Sequence, residues 1–393
     1  MRVLVINSGS STVKARMIST NTGQVLGKGL VDRIASPECR LKWEGGTDVV
    51  EEKLPGASVD LATRRLVELA EKQSHIEAVG HRIVHGGELF TAPTLIDDKV
   101  LEGIDYCSLF APLHNPAHAE GIRAARAVLP NVSHVAVFDT AFHATIPPYA
   151  HRYAIPEKYY KELGVRRYGA HGTSHQYLSA KGNEFLAERG VKAPYRVITL
   201  HLGNGCSAAA VLDGVCRETS MGFTPLEGLI MGTRTGDMDC AVVPFLIQRQ
   251  GWTPAEADRF LNKECGLLGV SGLSPDMRDI EQGRAEGHPG ATLAFDMFCY
   301  RIEKYVGAFT AVLGGLDLLV FSGGIGENSP EVRRQVVGKL GWLGLKLDEN
   351  ANGARSKSAK LITVESEGPA AAVIPTDEEA LIARQTERVV TGS

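Results

Sequence analysis

The chain has 393 residues, room for two or three domains at the usual size of roughly 150 residues. With 44% hydrophobic and 22% charged residues it has the composition of a folded globular protein, which excludes disordered, collagen-like and coiled-coil classes. The 42 Lys+Arg against 46 Asp+Glu leave a formal charge of -4, so no broad field draws nucleic acid or an anionic membrane.

The first predicted element is a strand. Val3-Leu4-Val5-Ile6 is apolar on both faces, as a buried central strand is. It is too short for a signal peptide's apolar core, and no run approaches the roughly 20 apolar residues that span a bilayer. A soluble, cytoplasmic protein is expected. Asn7-Ser8-Gly9-Ser10-Ser11-Thr12 then makes a polar turn and Val13 to Ile18 resumes as a strand, giving a hairpin whose tip offers backbone N–H groups and hydroxyls. Residues 60–74 carry Ala62, Leu66, Leu69 and Ala70 at helical spacing. At Arg196 to Ser207 the opening pattern returns, with Gly203-Asn204-Gly205 as the turn. Asn204 stands 197 positions after Asn7, half the chain, which predicts a duplicated domain. Residues 293–313 form a long helical candidate. Leu318 to Phe321 lead into Ser322-Gly323-Gly324-Ile325-Gly326-Glu327-Asn328, with Ser329 as N-cap and Pro330 at N1 of a helix. Residues 377–390 predict a last helix with an acidic first turn. Strands alternating with helices mean an α/β protein.

Seven cysteines, scattered and without Cys-x-x-Cys, fit a reducing compartment and buried apolar roles. Neither a complete G-x-G-x-x-G nor a Walker A box is present. Eleven of twelve histidines fall between 75 and 201. His114-x-x-x-His118 and His171-x-x-x-His175 have metal-site spacing, but both sit in Gly- or Pro-containing stretches that argue against a helix, so a zinc hydrolase is disfavoured. Five segments are dense in Arg, His or Asp, three of them with Gly: Gly80-His81-Arg82-Ile83-Val84-His85-Gly86-Gly87-Glu88, Leu113-His114-Asn115-Pro116, Phe138-Asp139-Thr140-Ala141-Phe142-His143, Gly169-Ala170-His171-Gly172-Thr173-Ser174-His175 and Met231-Gly232-Thr233-Arg234-Thr235-Gly236-Asp237. Glycine bends the backbone around a phosphate while fixed cations offset its charge. One such segment is an ordinary surface ion pair; five of them with two hairpins of phosphate type point to a two-domain phosphoryl-transfer enzyme.

These segments, in order and spacing, resemble the acetate kinase family of the sugar kinase/actin/chaperone ATPase superfamily, over essentially the whole chain. The resemblance implies a duplicated ribonuclease-H-like (actin-like ATPase) fold with two domains around a central cleft: residues 1–145 completed by 378–393, and 146–377. It implies reversible transfer of the ATP γ-phosphoryl group to acetate, giving acetyl phosphate and ADP, and a homodimer. By the same resemblance Arg82, Arg234, His171 and Asp139 are catalytic, and His175 is structural. Asn7 and Glu378 hold Mg²⁺, with Mn²⁺ as the alternative. Lys14, Ser10 and Thr12 match the phosphate hairpin. His201, Leu202, Gly203, Asn204 and Gly205, then Asp276, Met277 and Arg278, then Gly324, Ile325, Gly326, Glu327 and Asn328 match the ATP-binding segments. Val84, Leu113, Ala170 and Pro225 match the wall around the acetate methyl. The family describes the position of Asp139 as a proton acceptor or donor. Acetate, whose carboxyl pKa lies near that of Glu at about 4.3, is already ionised at neutral pH, so orienting Arg82 or a Mg²⁺-bound water is the other reading. Two departures stand out. Thr12 replaces a common Ser and keeps the hydroxyl; Ala170 replaces a common Phe and opens the option of propionate or another short-chain carboxylate. An ATPase whose product is a conformational change, or a carbohydrate kinase on the same fold, are the competitors from other classes.

Overall fold

Val3 to Ile6 are all buried in the computed structural model because both faces of their sheet are covered. The structure describes residues 1–366 and 368–392; Ser393, the end of the expected first domain, lies outside them. The chain divides into two compact units, Met1–Ala144 with Asp377–Ser393, and Thr145–Thr376.

In the first unit, strands β1 (Arg2–Ser8), β2 (Thr12–Ser19), β3 (Val25–Asp32), β4 (Arg40–Gly45) and β5 (Asp48–Lys53) form an antiparallel meander. β6 (Ala78–Ile83) and β8 (Ser133–Phe138) join parallel to β1, and the short β7 (Thr94–Leu95) closes the order β5-β4-β3-β2-β1-β6-β8-β7. Alternation sorts the side chains. Leu4 and Ile6 cluster with Leu66 and Ala70 of the helix Val59–Gln73, while Val3 and Val5 cluster with Ile382 and Ala383 of the C-terminal helix Glu378–Thr391. Gly80 lets that last helix approach: a Cβ there would stand 2.4 Å from Thr386 Oγ1 and 2.8 Å from Ile382 Cγ2.

The second unit repeats the scheme. β9 (Arg196–Leu202), β10 (Cys206–Leu212) and β11 (Val215–Thr219) are antiparallel; β12 (Leu318–Ser322) and β14 (Ala370–Val373) run parallel to β9, with β13 (Lys360–Leu361) at the edge, in the order β11-β10-β9-β12-β14-β13. Val197, Leu318 and Val320 pack with Leu178 and Leu186 of the helix Gly172–Glu188. Ile198, Leu200, Leu319 and Phe321 face the other way, toward Phe295, Phe298 and Ile302 of the helix Pro289–Leu313. Each sheet thus contains a run of five strands in the order third-second-first-fourth-fifth, the first three antiparallel and the last two parallel to the first. This is the duplicated ribonuclease-H-like fold.

The expected helices at 60–74, 293–313 and 377–390 are present with ends shifted by a few residues, and Ser329 caps the helix Pro330–Lys339 as expected. Two expectations fail. Both His-x-x-x-His pairs do lie at helix starts: His114 caps the helix Asn115–Val128 that contains His118, and His171 caps the helix that contains His175. Pro116 sits where the first turn tolerates a missing N–H, and Gly172 occupies a first position where no preceding turn is disturbed. The glycine turn after β12 is itself one short helix, Gly323–Asn328.

Candidate active site

In the first unit the register alone assembles a polar row. β1 pairs Ile6 with His81 of β6, and Asn7 and Arg82 each follow one residue beyond that last pair. β8 pairs Phe138 with Ile83, and Asp139 follows one step beyond. Val5, Ala78 and Val137 belong to the cluster beneath the C-terminal helix, so the period of two turns Asn7, Arg82 and Asp139 to that same face. All three stand at the C-terminal ends of adjacent strands.

Asp139, 1% exposed, accepts two hydrogen bonds from Arg82, from Nε at 3.2 Å and Nη2 at 2.7 Å. Glu378, the first residue of the C-terminal helix, brings a carboxylate oxygen 3.6 Å from Arg82 Nε. Burial opposes charge on Arg82, but the Asp139 and Glu378 carboxylates outweigh it and hold the guanidinium pKa above its ordinary value. Lys14, exposed, is in register with Asn7 on β2. Arg16, two residues on, bonds Asp377 at 2.8 Å and lies 3.5 Å from Glu379, which pins the helix start beside the row. The sequence reading missed Arg16; its signal is a second basic residue on the face of Lys14, with an acidic helix start waiting for it. Ser10 is exposed and Thr12 Oγ1 donates to Asp32 at 3.3 Å. Val84 is half-buried and Leu113 is exposed. Asn7 and Glu378 offer an amide oxygen and a carboxylate, the hard oxygen donors that Mg²⁺ takes, so the donor set fits that ion.

In the second unit His171 adopts a left-handed backbone, φ 55°, at the cap of its helix. Its Nδ1 lies 2.8 Å from Ser207 Oγ, and its ring is 4.4 Å from that of His201. His201 Nδ1 is 2.8 Å from Ser174 Oγ, which also meets Thr376 Oγ1 at 2.9 Å. Gly205 leaves a gap that matters: a Cβ there would lie 3.4 Å from His171 Nε2 and 3.7 Å from Arg234 Nη1. An imidazole nitrogen and a guanidinium donor therefore converge over the bare backbone of the β9–β10 turn. Arg234 Nη1 also donates to the Pro225 carbonyl at 3.0 Å. Among the described residues no carboxylate pairs with Arg234, and burial lowers its pKa. A half-buried guanidinium without a counter-ion is what an anion site offers.

The other expected nucleotide segments are spread around that turn. Asn204 is exposed, and its carbonyl accepts from Gly232 N–H at 3.0 Å. Asp276 caps the helix Met277–Ala285 and pairs with exposed Arg278, whose hydrogen bonds hold the Asp276 carboxyl at about 2. The side chains of Met277 and Leu202 are buried in the core, so only their backbones face outward chemistry. Asn328 donates to the Gly324 carbonyl at 2.9 Å, and Glu327 accepts from Gly323 N–H at 3.0 Å. Beneath them Arg333, 2% exposed, donates to the carbonyls of Gly326 and Glu327 and to Asn352. Arg333 escaped the sequence reading, since an Arg within a helix reads as solvated surface. Ala170 is 4% exposed and belongs to the core cluster of this unit.

The sequence model of the Acetokinase family matches residues 2–384. The acetate kinase of Thermoanaerobacter pseudethanolicus is 45% identical over 402 residues, covering 100% of both chains. Among solved structures, a propionate kinase from Francisella tularensis superposes with a TM-score of 0.92 at 41% identity, covering 99% of each chain. The Porphyromonas gingivalis acetate kinase gives 0.91 at 41%, with the same coverage.

Proposed function

The chain belongs to the acetokinase family, and on that premise we propose that it is an acetate kinase. It transfers the γ-phosphoryl group of ATP to an acetate oxygen: the bond from phosphorus to the β–γ bridging oxygen breaks, the bond to the carboxylate forms, and ADP leaves. The observation that carries the reading is the convergence over Gly205 of His171 Nε2 and Arg234, which pairs with no carboxylate among the described residues, in a chain whose full-length relatives are acetate kinases.

Phosphoryl transfer through a loose transition state needs positioning and charge stabilisation more than covalent chemistry. Arg234 and His171 supply donors for the equatorial oxygens, where a well-placed arginine is worth roughly 10³–10⁵ in rate. Arg82 holds anionic oxygen, and its bidentate bond to Asp139 supports reading that carboxylate as its orienter rather than as a base. Asn7 and Glu378 would hold Mg²⁺, which when bound neutralises charge on the β and γ oxygens. Lys14, with Ser10 and Thr12, serves the phosphates, and the turns at 201–205, 276–278 and 324–328 serve the nucleotide. Val84, Leu113, Ala170 and Pro225 wall the acyl group.

We read the protein as a cytoplasmic homodimer. Its seven free thiols suit a reducing compartment. The helix Val242–Gln250 buries none of its residues although it carries Val, Phe, Leu and Ile, and Phe245 is 54% exposed, as a face covered by a second copy would be.

A second reading, propionate or another short-chain carboxylate as acceptor, is favoured by Ala170, which lacks the ring the family commonly places there. One methylene is worth about 1–3 kcal/mol of discrimination. Acyl phosphate formed from Mg-ATP, trapped as hydroxamate across formate, acetate, propionate and butyrate, tests both. The expected maximum is at acetate. A maximum at propionate that an Ala170→Phe variant abolishes makes Ala170 the specificity switch, and no carboxylate-dependent product refutes the kinase.

A further inference from the structure

Three buried side chains stand behind His171 in single file. Ser207 Oγ lies 2.8 Å from His171 Nδ1 and 2.8 Å from His175 Nε2, and His175 Nδ1 lies 2.7 Å from Thr199 Oγ1. Thr199, His175 and Ser207 are each 0% exposed. Ser207 sits on β10 and Thr199 on β9, while both histidines are one turn apart at the start of the helix Gly172–Glu188.

A hydroxyl carries one proton and a neutral imidazole one, so three proton orders make all three bonds. In the first, Thr199 donates to His175 Nδ1, His175 Nε2–H donates to Ser207, and Ser207 donates to His171 Nδ1. His171 then carries its proton on Nε2. In the second every bond is reversed, and in the third both histidines donate to Ser207; either way His171 is protonated on Nδ1 instead. The three are not equivalent. Among the described residues His175 is the only partner of Thr199 Oγ1, and the two histidines are the only partners of Ser207 Oγ, so the second order strands the Thr199 proton without an acceptor and the third strands that of Ser207. An unmatched buried polar group is disfavoured.

We propose that Thr199, His175 and Ser207 form a polarised hydrogen-bond chain that fixes His171 as its Nε2–H tautomer. His171 then presents a neutral donor toward the point over Gly205 where Arg234 also donates, and that point needs donors only. The three are positioning residues. Their catalytic importance rests on the reading of His171 as a group facing the transferred phosphoryl; their proton order does not.

The test uses full-length protein labelled with ¹⁵N-histidine, the His171 and His175 signals assigned by His171→Gln and His175→Gln. Both rings are expected as Nε2–H tautomers at neutral pH; either ring found as Nδ1–H overturns the proposal. Kinetically, Ser207→Ala is expected to lower kcat at least tenfold with the KM for ATP within twofold. Thr199→Val lowers kcat severalfold and Thr199→Ser keeps it. Wild-type kcat in Ser207→Ala, with His171→Gln strongly impaired, also overturns it. Unimpaired His171→Gln refutes the assigned role of His171 instead, and the spectra then decide the proton order alone.

Discussion

His85, His118 and His134 are held neutral in the first unit, with pKa values of about 4, 3 and 4. Burial is the main cause in each; the Coulomb effects of Arg82 and His114 add to it at His118, and that of Arg126 does at His134, where a bond to the Leu129 carbonyl pulls the other way. In the unfolded chain these rings titrate near 6.5. Between roughly 6.5 and 4 the unfolded state therefore binds protons that the native state refuses, and stability falls as pH falls. With His81, whose pKa burial also drives well below its ordinary value, four such groups give a slope of up to about 5 kcal/mol per pH unit at the steepest. Denaturant midpoints at pH 7, 6 and 5 measure it. His118→Leu should flatten the slope by about a quarter; an unchanged slope contradicts the assignment. At this scale the sequence was partly legible. Arg and His beside Gly flagged Arg82, His171 and Arg234, but the same signal flagged His81 and His85, which are core residues. Ser207 and Thr199 carried no signal, because a hydroxyl on a strand reads the same whether it faces solvent or a histidine.

Strands and helices were easier to read than their neighbours in space. The apolar runs at Val3 to Ile6 and Leu318 to Phe321 are the central strands β1 and β12, and the acidic start at Asp377 is a helix start. What the pattern could not supply was the pairing of Arg82 with Asp139 and Glu378, since register between β6, β8 and a helix nearly 300 residues away is a tertiary property. That helix depends on Gly80. Gly80→Ala should cost about 1–3 kcal/mol by overpacking against Thr386 and Ile382. Adding Thr386→Ala removes the nearer contact and should recover part of the loss in a double-mutant cycle. Strict additivity would mean that strand and helix do not meet there as described.

The half-chain repeat of hydrophobic strand, glycine turn and second strand announced a duplication, and the two sheets share one strand order. The strand order itself was not readable, because β6, β8, β12 and β14 join their sheets through long crossovers. Each copy carries its own set of polar or charged groups: Asn7, Arg82, Asp139 and Glu378 on the first, His171 and Arg234 on the second. The central claim is that this molecule couples ATP cleavage to a carboxylate. The most direct measurement follows ADP and hydroxamate together from Mg-ATP, with and without acetate, in the wild type and in Arg234→Ala. The account predicts equal ADP and hydroxamate that depend on acetate in the wild type, and a loss of roughly 10³-fold or more in the variant. ADP released at the same rate without acetate, and no hydroxamate with it, would contradict the account.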